Sequence, residues 1–103
     1  MWIISKKTIV QFCKTNRASD AASSTRQFMA WHAEVKAAKW TKFADIKAKF
    51  NSADAIKGGR VVFDIAGNKY RLVVKVKYEP KGKVWIRFIG THAQYDKIDA
   101  ETV

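Results

Sequence analysis

The chain has 103 residues, 48% of them hydrophobic, with four tryptophans, which predicts one folded domain over residues 1–103 and excludes a disordered chain. Twenty Lys and Arg against nine Asp and Glu give a formal net charge of +11. A domain this basic attracts polyanions, so the charge favours nucleic acid, an anionic membrane surface or an acidic protein as partner without choosing among them.

The first part of the chain has the hydrophobic spacing of helices behind one short strand. Residues 2–4 are an apolar run, and Ser5 can cap the helix that follows. From about Ser24, apolar residues recur every three or four positions, which predicts a long amphipathic helix, and Thr41 can cap a third helix. The single cysteine, Cys13, lies among apolar residues of the first helix and is interpreted as a small buried hydrophobe.

The second part changes to the alternating pattern of strands. Residues 51–59 are expected to be irregular, and 60–65, 69–78 and 83–88 are predicted to be strands joined by two hairpin-like connections. The residues from Thr91 onward can form a short helix or a tail. The predicted fold class is α+β, with an N-terminal strand and helices packed on one face of an antiparallel β-sheet.

The segment KYRLVVKVKY, residues 69–78, predicts two different faces for the sheet. Successive strand side chains point to opposite sides, so one side is apolar and the other carries a row of cations. The same alternation in the last strand predicts Phe88 inside and Ile89 outside. The open face then combines cations, which bind phosphate, with Trp85, which can stack a base.

These cations also have an ordinary interpretation. Lysines on an open sheet face keep it soluble and prevent aggregation at its edges. Arg71 and Arg87 are favoured as functional, because they lie at the centre of the sheet and the guanidinium fork matches phosphate oxygens.

The closing stretch IRFIGTHAQYDKIDA places a histidine and a tyrosine just after the last strand. A ribonuclease that uses the 2′-hydroxyl of its substrate needs a base, an acid and cations, and it needs no metal or other cofactor. His92 can titrate near neutrality, Arg71 supplies charge, and Tyr95 can donate a hydrogen bond or stack. From the residues alone, a structural role for His92 and a packing role for Tyr95 are the commoner outcomes. His32 is interpreted as structural, and no Cys or His spacing suggests a metal site.

Four segments carry a family resemblance: WHAEVKAAKW, ADIKAKF, RVVFDIAGNKYRLVVKV and IRFIGTHAQYDKID. Through them the chain resembles, over essentially its whole length, the HigB toxins of bacterial type II toxin–antitoxin systems, a branch of the RelE-like superfamily. The resemblance implies a ribosome-dependent mRNA endonuclease that cleaves translated mRNA in the A site. It also implies neutralisation by a HigA-type helix-turn-helix antitoxin, through which alone the toxin would contact operator DNA.

In RelE-like toxins the concave sheet face and the C-terminal segment form the active site. Arg71 matches the arginine of the central strand, and His92 and Tyr95 fall where relatives keep catalytic or base-stacking groups. RelE has two catalytic lysines on the preceding strand, where this chain has Val62 and Asp64. Acid–base work is therefore assigned to His92, to Tyr95, or to lysines elsewhere: Lys47 and Lys57. Asn51 replaces a proline common in relatives, which bears on the loop only.

The sequence thus predicts a cytoplasmic, metal-independent endoribonuclease toxin with Arg71, His92 and Tyr95 as catalytic residues. The residues predicted to bind RNA are Lys47, Lys49, Lys57, Arg60, Lys69, Lys75, Trp85 and Arg87. The alternative is a non-catalytic basic module that binds RNA or the ribosome and blocks translation. Membrane-surface binding is disfavoured, because the cations follow strand alternation without an apolar insertion face. The opening apolar run is far too short for a signal peptide or a membrane span, so a cytoplasmic protein is expected.

Overall fold

Five strands and four helices follow one another in the computed structural model, which describes residues 1–103. The strands are β1 (Trp2–Ile4), β2 (Asp54–Ile56), β3 (Arg60–Ile65), β4 (Tyr70–Lys77) and β5 (Lys83–Thr91). The helices are α1 (Lys6–Thr15), α2 (Ala21–Ala37), α3 (Phe43–Lys49) and α4 (His92–Tyr95). The predicted α+β class and the short C-terminal helix are confirmed. No helix is long and apolar enough to cross a membrane.

The strands form one mixed sheet in the order β1-β5-β4-β3-β2. Neighbours from β2 to β5 are antiparallel, as expected, whereas β1 runs parallel to β5 at one edge. Strand β2 lies within residues 51–59, which were expected to be irregular, and it pairs with residues 60–62 of β3. A strand of three residues is too short for its alternation to be recognised in the sequence.

The core lies between the helices and one face of the sheet. Trp31 of α2 meets the ring of Phe63 edge-on, with ring centroids 5.3 Å apart, and Phe28 packs in the same way against Tyr70 at 5.6 Å. Each large apolar side chain buried here stabilises the fold by about 1.5–3 kcal/mol. The apolar positions of the long helix therefore hold the sheet from this side.

A β-bulge in β5 changes which side chains reach which face of the sheet. Val73 pairs with Phe88 and Val74 pairs with Ile86, so Arg87 is an extra residue between the two pairs. As a result Phe88 lies on the face opposite the helices, where it contacts Tyr95, and Ile89 packs against the core. The prediction of Phe88 inside and Ile89 outside is wrong, because the bulge interrupts the alternation on which it depended.

The face of the sheet opposite the helices is called the outer face below. Strand register arranges its side chains in rows. The first three rows are Asp64–Arg71–Gly90, Val62–Val73–Phe88 and Arg60–Lys75–Trp85. Consecutive rows are two residues apart along a strand, or about 7 Å.

Residues 96–103 cross the outer face. At one end α4 lies beside the first row, since the His92 N–H donates to the Lys69 carbonyl at 2.9 Å. At the other end the guanidinium of Arg60 donates to the carbonyls of Glu101 and Val103. Between these anchors, Val62 and Val73 are 5% and 0% exposed, although they point away from the helices. Residues 96–103 thus run from the first row to the third, past the middle row.

Candidate active site

Arg71 is the centre of the candidate site, and strand register places a carboxylate beside it. The β3–β4 turn, in which Ala66 and Gly67 adopt positive φ angles of 57° and 67°, sets Asp64 opposite Arg71. Arg71 Nη1 lies 2.7 Å from Asp64 Oδ1, and the arginine side chain is only 13% exposed. The contact is an ion pair without an aligned hydrogen bond, since Nη1 has no acceptor in a suitable direction. Asp64 thus holds the guanidinium in place.

Tyr95 covers another side of the Arg71 guanidinium. The Arg71 Cζ atom lies 5.8 Å from the centroid of the Tyr95 ring, which is within the range of a cation–π contact. The Tyr95 ring in turn contacts Phe88, with centroids 6.4 Å apart. The bulge that turns Phe88 outward therefore gives Tyr95 an aromatic support.

A capping box fixes the start of α4. The Thr91 hydroxyl accepts from the Gln94 N–H at 3.1 Å, and the Gln94 side chain accepts from the Thr91 N–H at 2.9 Å. Gly90 leaves room for two neighbouring side chains, since a Cβ there would lie 2.6 Å from Gln94 Oε1 and 2.8 Å from the Phe88 ring. Because these contacts are short and local, they determine where His92 and Tyr95 emerge from the sheet.

His92 opens α4 and is more accessible than Arg71. Its side chain is 44% exposed, and its Nδ1 atom lies 3.4 Å from Asp96 Oδ2, one helical turn later. An imidazole in this position can exchange protons with a bound molecule through the remaining ring nitrogen. Nowhere in the chain are three or more His, Cys, Asp or Glu side chains grouped so that they could hold a metal ion.

Four of the predicted RNA-binding residues lie along the outer face. Lys75 and Trp85 are directly opposite each other in the third row, and Arg87 occupies the bulge and is exposed. Arg60 shares their row, about 13 Å along β3 from Asp64. Its guanidinium is engaged by Glu101 and Val103, and its Nε atom is buried without an acceptor.

The other four predicted RNA-binding residues lie away from these outer-face positions. Lys69 forms an ion pair with Asp20 at the start of α2, at 3.3 Å. On α3, Lys47 donates to the Ala53 carbonyl at 2.9 Å. The remaining two are Lys49, which pairs with Glu34 of α2 at 3.5 Å, and Lys57, which is exposed before the turn into β3.

Several contributors to the site were not recognised in the sequence. The Thr-x-x-Gln spacing of residues 91–94 is a capping-box signature and could have been used. Asp64 was noted only as a departure from the RelE lysines, because its position opposite Arg71 depends on register. Phe88 was assigned to the core, since the bulge left no distinct signal among apolar residues.

The fold and the outer face define a small, basic α+β domain whose C-terminal helix places aromatic and titratable side chains beside a strand arginine. Residues 24–98 match the sequence model of the HigB toxins, described as the RelE-like toxic component of a toxin–antitoxin system. The chain therefore belongs to the HigB toxin family, and an antitoxin is its expected partner. The predicted family is confirmed over a region that includes Arg71, His92 and Tyr95. No curated protein matches the chain.

Proposed function

We propose that this toxin is a ribosome-dependent endoribonuclease that cleaves translated mRNA in the A site and thereby inhibits translation. The observation that carries the proposal is the convergence of Arg71, Tyr95 and the start of α4 at one end of the outer face. There a cation, a stacking surface and a titratable group lie on neighbouring elements.

Cleavage would use the 2′-hydroxyl of the message. A base takes the 2′ proton, the oxygen attacks the adjacent phosphorus, and the P–O5′ bond breaks as the leaving oxygen receives a proton. These steps yield a 2′,3′-cyclic phosphate and a 5′-hydroxyl. Among the residues at the site, His92 is assigned as the general acid or base, because it is an accessible imidazole at the start of α4, beside the Arg71 row.

Arg71 would stabilise the negative charge of the pentavalent phosphate. Its guanidinium has five donors, and the Asp64 carboxylate occupies only one side of it. Tyr95, supported by Phe88, would orient the site or stack a base. Neither Val62, which is buried, nor Asp64, which pairs with Arg71, can take the part of the RelE strand lysines.

The message would continue along the outer face past Lys75, Trp85 and Arg87, which combine phosphate-binding cations with a ring for stacking. The further RNA contacts predicted from the sequence are Lys47, Lys49, Lys57, Arg60 and Lys69. For the antitoxin we propose a HigA-type helix-turn-helix protein, which would also provide the complex's contact with operator DNA.

The test compares message ends after brief expression of the toxin and of the variants Arg71→Ala and His92→Ala. The wild type should create new 5′ ends within translated codons, and His92→Ala should lower the cleavage rate about 10²–10⁴-fold. Both variants should relieve growth arrest while still binding the antitoxin. Arg26→Ala, which removes an exposed arginine of α2, is the matched control and should behave as wild type.

Two outcomes would count against the proposal. Wild-type arrest by both variants would mean that the catalytic residues are misassigned. Intact messages on stalled ribosomes would instead favour a module that blocks translation without cleavage.

A further inference from the structure

The edge of the sheet formed by β1 extends the cationic and aromatic outer face beyond the row of Lys75 and Trp85. Trp2 is the one large hydrophobic side chain that is exposed, at 64% of its surface. It pairs in register with Lys83, which pairs with Lys77, six residues along β4 from Arg71. This edge is therefore about 20 Å from the candidate active site.

Three basic residues from two helices surround a cavity beside Trp2. The cavity has a volume of about 520 Å³, and its lining comprises Met1, Trp2, Ile3, Lys6, His32 and Lys36. Lys6 and Lys36 are exposed, and no carboxylate lines the cavity. The four ion pairs of the chain all lie elsewhere, so both lysines are free to bind an anion.

His32 lines the cavity together with Lys6 and Lys36. Burial lowers the pKa of His32, and the nearby charges of Lys6 and Lys36 lower it further. A histidine that resists protonation adds no charge of its own at neutral pH, but its ring nitrogens can form hydrogen bonds to a bound group. The cavity therefore favours a ligand that brings negative charge.

Trp2 is held in a position that leaves it open for stacking. The backbone N–H of Trp2 donates to the Gly82 carbonyl at 2.8 Å, and the Met1 ammonium donates to the Ala38 carbonyl at 2.6 Å. These two hydrogen bonds anchor the strand. Lys83 Nζ lies over the indole ring, 5.4 Å from its centroid. A ring that carries a cation on one side and remains 64% exposed offers its other face to a planar group.

We propose that Trp2, Lys6, His32 and Lys36 form a binding site for single-stranded nucleic acid, separate from the candidate active site. A base stacks on Trp2, and the phosphates on either side of it contact Lys6 and Lys36. Alternation of an aromatic ring with cations is the arrangement that binds single strands without reading their sequence. An acidic peptide would use the lysines but would leave the exposed indole without a stacking partner. This site does not depend on cleavage at Arg71.

The test titrates the protein with a hexamer of deoxythymidine, which has no 2′-hydroxyl and so cannot be cleaved by 2′-hydroxyl attack. The four indole N–H signals are followed by ¹⁵N NMR, with the Trp2 signal assigned through Trp2→Phe. The Trp2 signal should move saturably, while those of buried Trp31 and Trp40 stay in place. Trp2→Ala should weaken binding about tenfold, and Trp2→Phe should retain most of it, because a ring remains.

The lysines are tested by salt dependence. Lys6→Gln combined with Lys36→Gln should lower the slope of log K against log salt by about 1–2, since roughly 0.7 is lost for each single-strand phosphate contact. Lys7→Gln, a neighbouring exposed lysine outside the cavity, is the matched control and should leave the slope unchanged.

The proposal is overturned if the Trp2 signal does not move, or if only the Trp85 signal on the outer face moves. It is also overturned if a decamer of glutamate or phosphatidylglycerol vesicles shift the Trp2 signal at lower concentration than the oligonucleotide. Those results would identify the edge as a docking surface for an acidic protein or for a membrane.

Discussion

At the scale of single residues, Arg71 illustrates how neighbours define a candidate catalytic side chain. The residue is bounded by a carboxylate at 2.7 Å and by an aromatic ring at 5.8 Å, and it is only 13% exposed. A phosphate that reaches it competes with Asp64 for the guanidinium, so Asp64 sets both the position and the availability of the positive charge. Tyr95 contributes its ring to this arrangement, whereas its hydroxyl is not part of the contacts with Arg71 and Phe88.

Substitutions at Tyr95 separate the ring from the hydroxyl. Tyr95→Phe keeps the contacts with Arg71 and Phe88, so we expect cleavage within about threefold of wild type, below the 10²-fold or larger loss typical of a missing proton-transfer group. Tyr95→Ala removes both the ring and its support and should lose about tenfold or more, as when a stacking surface is removed. Cleavage of a defined message on purified ribosomes is the measurement. A 100-fold loss of cleavage rate in Tyr95→Phe would mean that Tyr95, and not His92, transfers the proton.

At the scale of elements, short helices in this protein depend on local side-chain contacts at their starts. α4 has its Thr91–Gln94 capping box. At the start of α3 the N-cap residue, Lys42, makes no side-chain cap, and Asp45 instead reaches back to Thr41. Asp45 Oδ2 accepts from the Thr41 N–H at 2.9 Å and from the Thr41 hydroxyl at 3.0 Å. The backbone hydrogen bond first, and then the hydroxyl, hold the pKa of Asp45 below its ordinary value of 3.8. The ionised form of Asp45 therefore stabilises the start of α3.

The lowered pKa of Asp45 predicts a pH-dependent contribution to stability. The contribution is fully present above pH 3.8, the ordinary value in the unfolded chain, and is lost as the pH falls through the lower value of the folded state. Asp45→Asn should therefore lower the urea midpoint near neutral pH, and its difference from wild type should shrink in acid. Glu79→Gln, at another exposed carboxylate, serves as control. A difference that stays constant with pH would mean that the charge of Asp45 is not involved.

At the scale of the whole molecule, residues 96–103 connect the two ends of the outer face. They leave α4 beside Arg71 and reach Arg60, and Val62 and Val73, which lie between these anchors, are buried. The outer face is thus covered by protein at its middle row and accessible along Lys75, Trp85 and Arg87. Any RNA bound near Arg71 must pass beside this segment or displace it.

Loss of the Arg60 anchor should release that segment. Arg60→Ala removes the donors to Glu101 and Val103, and hydrogen bonds from a charged group contribute about 1.5–3 kcal/mol to the free energy of unfolding. We expect a lower midpoint in urea and faster hydrogen exchange at the amides of Thr102 and Val103, which donate to Asp99. Lys57→Ala is the matched control. Unchanged exchange at both amides would show that other contacts hold the segment.

The sequence by itself determined those features that depend on local periodicity and on motifs. The alternation in residues 69–78 predicted a core face and a cationic face for β4, and the pattern from Ser24 predicted the long helix, whose observed start is Ala21. The closing motif, with the matching segments before it, indicated the HigB family. All of these signals lie within short stretches of chain, because side-chain direction in a strand or helix repeats every two or 3.6 residues.

Only the tertiary structure decided which side chains meet. The bulge at Arg87 reversed Phe88 and Ile89, register placed Asp64 against Arg71, and Arg60 became an anchor for Glu101 and Val103. Trp2 and Lys36 are distant in sequence yet line one cavity. Such contacts follow from strand pairing and from the path of the chain across the sheet. A register shift of a single residue changes the side to which every later side chain points. These contacts could therefore not be predicted from the local pattern of the sequence.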